Sequence, residues 1–122
     1  MLSKAEMVAR IGFESLYIGL ATVVVRESIK NPITKVTELT EKTIYTELRC
    51  RLSFSTAKLE DGGNVVGAQT VFTLFTNPEI DIPISSKIVV VQNGNTYTLS
   101  NSKVKSYATH NEYSCTEFVR WA

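Results

Sequence analysis

From Thr43 to Phe54 the chain alternates with a period of two. Ile44, Thr46, Leu48, Cys50, Leu52 and Phe54 fall on one face, and Tyr45, Glu47, Arg49, Arg51 and Ser53 on the other. That is the pattern of a half-buried strand, its first face turned to a core and its second to solvent or a partner. Upstream the pattern is helical. Ala5, Val8 and Ile11, with Met7 beside them, follow a Ser3-Lys4-Ala5-Glu6 capping box, which predicts a helix over Lys4–Ser15 within residues 1–16. Tyr17–Arg26 switches to β-branched residues and reads as a long strand. Glu27–Pro32 reads as a turn, and Ile33–Leu39 as a short edge strand.

Beyond Phe54 the alternation stops. Ser55–Gln69 contains the turn cluster Asp61-Gly62-Gly63-Asn64 and is expected to be a long loop. Thr70–Thr76 resumes as a strand. Lys87–Gln92 and Asn95–Leu99 then flank Asn93-Gly94, the strongest short-range hairpin signal, because both central residues of a type I′ turn need positive φ. Ile88–Val91 is a continuous β-branched run, as expected of a strand covered on both faces. Asn111–Trp121 supplies the last strand, with Tyr113, Cys115, Val119 and Trp121 on one side. The sum is a mainly β protein, a small antiparallel β-barrel or sandwich of six to seven strands with an N-terminal α-helix packed on it.

Composition narrows the function classes. The chain has 122 residues, one domain's length, enough to bury a core without metal or disulfide staples. Thirteen basic and twelve acidic residues leave a net charge of +1, which gives no overall electrostatic footprint for nucleic acid or an anionic membrane. Met7–Val25 is partly apolar, but Arg10 and Glu14 interrupt it and no small-residue cleavage site follows, so neither a membrane span nor a signal peptide is expected. Cys50 and Cys115 match no metal or redox spacing and are expected as buried, reduced thiols.

Catalytic motifs are missing from the sequence: it has no P-loop, dinucleotide fingerprint, zincin motif or nucleophile elbow. The single histidine, His110, could in principle pair with a cysteine and Glu112, but both cysteines sit on apolar strand faces, and a lone histidine at a strand's start is expected to order a turn. No catalytic, cofactor-binding or metal-ligating residue is assigned. Tyr45, Arg49 and Arg51 make a partner-facing strand surface; stacking on a nucleic acid is the minor reading, because Glu47 sits among them.

Several runs, in order, resemble one family. They are Tyr17-Ile18-Gly19 leading into a strand, Cys50-Arg51-Leu52-Ser53-Phe54, Leu74-Phe75 with Pro78-Glu79, Ser86-Lys87 through Gln92-Asn93-Gly94, and Tyr107 with His110 and Glu112. The set is similar to the small head–tail connector proteins of PBSX-type prophages and related tailed phages, from about Leu16 to the terminal Trp121-Ala122. The chain departs from that pattern at Ser85, where glycine is usual before Ser-Lys, and at Ser102-Lys103-Val104-Lys105, where glycine and proline are usual.

The resemblance implies a virion structural protein of the neck: a head-closure subunit in a homo-oligomeric ring of six or twelve copies. A portal or adaptor ring would lie on its head side and a tail terminator or tail tube on its tail side. Double-stranded DNA would pass through the channel without sequence recognition. Assembly would take place in the host cytoplasm, with no membrane and no cofactor involved. A tail-terminator or tail-completion ring is the alternative, and a small nucleic-acid-binding barrel a more distant one. Within this reading the 55–69 loop, through Lys58, Glu60, Asp61, Gly62, Gly63 and Asn64, is the expected lumen or ring contact. The helix either caps its own barrel or docks on an adjacent ring, and its few apolar residues favour docking.

Overall fold

The computed structural model describes residues 3–121, and the side chains of all of these except residues 13, 57–61, 64–66, 68 and 69. One helix, α1 (Lys4–Glu14), precedes six strands: β1 (Gly19–Lys30), β2 (Thr37–Asp61), β3 (Asn64–Thr76), β4 (Lys87–Gln92), β5 (Asn95–Ser106) and β6 (Asn111–Glu117). All strand pairs are antiparallel, and the sheet closes on itself in the order β1-β2-β3-β6-β5-β4. Closure removes the open sheet edges that a six-stranded domain would otherwise expose. The barrel is filled by Ala21, Val23, Cys50, Leu52, Phe72, Leu74, Ile88, Val90, Leu99, Tyr113 and Cys115, all buried.

The Asn93-Gly94 turn forms as the sequence indicates, with φ of 52° and 78° and Gln92 opposite Asn95. The capping box also forms. The Glu6 amide donates to Ser3 Oγ at 3.1 Å and the Ser3 amide donates to Glu6 Oε1 at 3.2 Å.

Three expectations are corrected. The 55–69 stretch is not a loop but a two-stranded ribbon in which Ser55–Asp61 pairs with Asn64–Val71. Gly62 and Gly63, at φ 59° and 86°, form its two-residue turn; the glycines that read as a loop breaker supply the left-handed pair that a tight hairpin needs. There is likewise no separate strand over Ile33–Leu39. β1 runs on through Glu27 to Lys30 and pairs with Thr37–Lys42, so only Asn31–Val36 is the turn. Finally, β2 does not alternate evenly. Between Ala21/Leu48, Val23/Tyr45 and Val24/Thr43 the register slips twice, each time with one extra residue on β2, and Glu47 takes φ 49°. Each bulge swaps the faces of the strand.

β3 and β4 lie opposite each other in the ring, and Asn77–Ser86 crosses the barrel between them. Side chains from β5 and β6 hold this crossing. Tyr113 donates its hydroxyl proton to the Ile80 carbonyl and accepts the Ile82 amide, at 2.9 and 3.2 Å. Asn111 Nδ2 donates to Ile80 O at 2.9 Å. Asn101 Oδ1 accepts the Ser86 amide while its Nδ2 donates to Pro83 O, both at 3.0 Å. Ile82 is thereby buried over the core.

Candidate functional site

With the interior filled by side chains, the features available for function lie on the outside. Two ribbons leave the barrel. The first is the β1–β2 arm, in which six residue pairs from Val25/Lys42 to Lys30/Thr37 continue past Val24, the last β1 residue paired with β4. The second is the β2–β3 ribbon ending at Gly62-Gly63. Of the proposed contact residues there, the side chains of Lys58, Glu60, Asp61 and Asn64 lie outside the described residues. Gly62 and Gly63 are exposed at the tip, with open space around both.

The strand surface expected from Tyr45, Arg49 and Arg51 is divided. Arg49 and Arg51 are exposed, and Arg49 Nη2 donates to Glu14 O at 3.3 Å. Arg51 lines a cleft of about 210 Å³ with Leu16, Tyr17, Ser53 and Phe75. Tyr45 is not with them. The bulge at Glu47 turns it against the core, where its hydroxyl accepts the Asp81 amide at 3.3 Å.

The helix does not cap the barrel. Its stripe is exposed, Val8 at 64% and Ile11 at 65%. What ties α1 down is Arg10, whose guanidinium bonds Glu14 at 2.8 Å and Glu79 at 2.7 Å. This fork holds the Glu79 carboxyl below the ordinary carboxylate range, helped by a backbone hydrogen bond.

The candidate thiols are inside the barrel. Cys50 and Cys115 are free, and burial pushes both up to about 12. A thiol at that value is not a nucleophile near neutral pH. His110 is buried, its Nδ1 2.9 Å from Thr109 Oγ1 and its Nε2 2.9 Å from Glu112 Oε2. Its ring stacks on Tyr107, and its carbonyl accepts the Tyr107 amide at 2.8 Å, which closes the turn into β6. Among the described residues no group of three or more His, Cys, Asp or Glu could hold a metal ion, and no helix is long and apolar enough to cross a membrane.

One feature escapes the sequence pattern altogether. At the base of the β1–β2 arm an open cleft of about 490 Å³ is lined by Val25, Arg26, Leu39, Pro83, Ile84, Ser85, Ser86 and Trp121. Glu41 braces it, accepting the Trp121 indole N–H at 3.0 Å and facing Lys87 Nζ at 3.7 Å. Trp121 in turn meets Phe118 edge-on.

No family model matches the chain, and no curated protein matches it. Among solved structures its architecture does recur. The fold resembles that of a phage-element protein. The phage-like element PBSX protein xkdH from Bacillus subtilis matches over 80% of this chain and 91% of that one, at a TM-score of 0.51 and 10% identity. At that identity the likeness is one of fold.

Proposed function

We propose that this chain is a structural subunit of a tailed-phage neck: a head-closure protein that assembles as a homo-oligomeric ring. The ring sits between a portal or adaptor ring and the tail terminator or tail tube, and lets double-stranded DNA pass without reading it. The observation that carries this reading is a convergence. The ordered runs from Tyr17 to Glu112 resemble PBSX-type connectors, and the barrel shares its fold with a protein of the PBSX element over 91% of that protein's chain. The physical character of the molecule agrees. A filled barrel with two projecting ribbons offers contact surfaces in different directions, as head-to-tail ring assembly requires, and a net charge of +1 suits a channel wall that must not grip the passing duplex.

On this reading the protein resides in the virion neck, after assembly in the host cytoplasm. The β2–β3 ribbon replaces the expected loop as the candidate lumen or ring contact. The test is made in the phage that encodes the chain. Particles are expected to contain it. Deleting its gene is expected to give heads that lose DNA and fail to join tails, and deleting residues 60–67 tests the ribbon separately. Finished, infectious particles without the chain would overturn the reading.

A further inference from the structure

The β1–β2 arm carries a rigid apolar tip. Asn31 organises it: its Oδ1 accepts the amides of Ile33 and Thr34 at 2.9 and 3.2 Å, its carbonyl accepts the Lys35 amide at 2.8 Å, and its own amide donates to Val36 O at 2.9 Å. Lys35 takes φ 59° to close the turn. The result is to hold Ile33 outward at 89% exposure, beside Pro32. A loop fixed by this many local bonds presents its side chain with little entropy left to lose on docking.

The same chain carries a matching recess. The cleft beside Trp121 is walled by Val25, Leu39, Pro83 and Ile84, with Ile84 itself 70% exposed. Its charged member, Arg26, has no side-chain ion-pair or hydrogen-bond partner among the described residues, because its cross-strand neighbour Glu41 is engaged by Trp121 and Lys87. The carbonyls of Pro32 and Ile33 at the arm tip likewise accept no hydrogen bond among the described residues. An apolar knob with free acceptors thus answers an apolar recess with a free donor.

Tip and recess cannot meet within one molecule. The recess runs along the arm from its foot at Val25 to Leu39, opposite Ser28, and the ladder from Val24 to Lys30 is continuous, so the arm projects by six residue pairs, about 20 Å. An unbroken two-stranded ribbon does not fold back onto its own base. We propose that the arm tip around Ile33 docks in the Val25–Leu39–Ile84–Trp121 cleft of a second copy of this chain. The contact joins two different surfaces, so it propagates head to tail, the kind of contact from which a ring is built when its rotation closes. In taking a second copy as occupant it rests on the ring reading above.

The test uses the full-length chain and two surface substitutions, Ile33→Asp and Ile84→Asp, with circular dichroism to verify folding. By sedimentation, wild type is expected to associate with increasing concentration. Each variant is expected to associate at least about tenfold more weakly, as for an anchor residue. An equimolar mixture of the two variants retains one intact tip and one intact cleft, so it is expected to stop at dimers. Separately prepared Ile33→Cys and Ile84→Cys chains are expected to form a 33–84 disulfide on mixing under oxidising conditions. Unchanged association in either variant, a mixture that forms no dimer, or a monomeric wild type whose cysteine variants do not cross-link would overturn the docking. The two proposals fail separately: chains found in particles without this contact leave the neck assignment standing, and the contact in a chain absent from particles leaves the docking standing.

Discussion

Gln92 completes the barrel by imitating a strand. Its Oε1 accepts the Leu52 amide at 2.8 Å and its Nε2 donates to the Leu52 carbonyl at 3.0 Å, so one side chain on β4 satisfies both backbone groups of a buried residue on β2. Gly19 makes room for it; a Cβ there would stand 3.0 Å from Gln92 Oε1 and 3.2 Å from Cys50 O.

Gln92→Ala is therefore expected to destabilise the fold by about 3 kcal/mol, since it strands a buried donor and a buried acceptor together. Urea unfolding reads this directly. Gly19→Ala is also expected to destabilise, and by less in the Gln92→Ala background, where its nearest obstacle has gone. A strictly additive double-mutant cycle would show that the two residues do not interact.

This pair also marks where sequence reasoning stops. The Asn93-Gly94 hairpin and the Ser3–Glu6 capping box were legible because each is a local bargain between neighbouring residues. Gln92 and Asn101 were not: a buried amide that satisfies a distant backbone looks in sequence like any surface polar residue. The β2 bulges were equally silent. Glu47 has no compositional signature of left-handed backbone, yet its bulge moved Tyr45 from the outer surface to the core. Arg49 and Arg51 lie beyond that slip, and their outward placement followed correctly from the alternation. Gly62-Gly63 failed for a different reason, since glycines that break one pattern complete another. The cleft beside Trp121 joins β1, β2, the crossing segment and the C-terminal residues, a juxtaposition that only the closed topology creates.

Ser85 is a non-glycine residue held at φ 64°, just before Ser86 and the Lys87 that opens β4. Left-handed backbone costs a non-glycine residue about 1–2 kcal/mol, and glycine gives back part of that through the freedom of its unfolded chain. Ser85→Gly is expected to stabilise by about 0.5 kcal/mol, and Ser85→Val to destabilise by about 1 kcal/mol through its branched Cβ. Shifts in the urea midpoint at constant slope would report both. A destabilised glycine variant would mean that Ser85 earns its place through its side chain.

Burial holds Cys50 and Cys115 as neutral thiols, pushed up to about 12. A thiol-specific disulfide reagent at pH 8 is expected to titrate neither in the native protein and both in urea. The same shift has a thermodynamic sign. The unfolded thiols ionise from about pH 8.5 while the folded ones stay protonated, so above that value the unfolded state gains and stability falls as pH rises toward 12. Rapid modification of either native thiol at pH 8 would show that the barrel opens locally around it.

The tether of α1 should titrate at the other end of the scale. Arg10 keeps Glu79 below the ordinary carboxylate range, so the folded carboxyl stays charged where an unfolded one would begin to take up a proton. A lowered acid pKa contributes stability that is present above the unfolded value, about 4.3, and lost as pH falls through the folded one. The Glu79 side chain is 60% exposed, so the effect is modest and falls on the helix rather than on the barrel, to which α1 is otherwise held mainly by its C-terminal turn. Hydrogen exchange, corrected for intrinsic rates, is expected to show the α1 amides losing protection by a few fold between pH 6 and pH 3 while those of β4 and β5 keep theirs. In Arg10→Ala the helix is expected to exchange at the faster level at both pH values. Equal protection of α1 in both proteins across that range would mean that the Arg10–Glu79 pair is not what holds the helix in place.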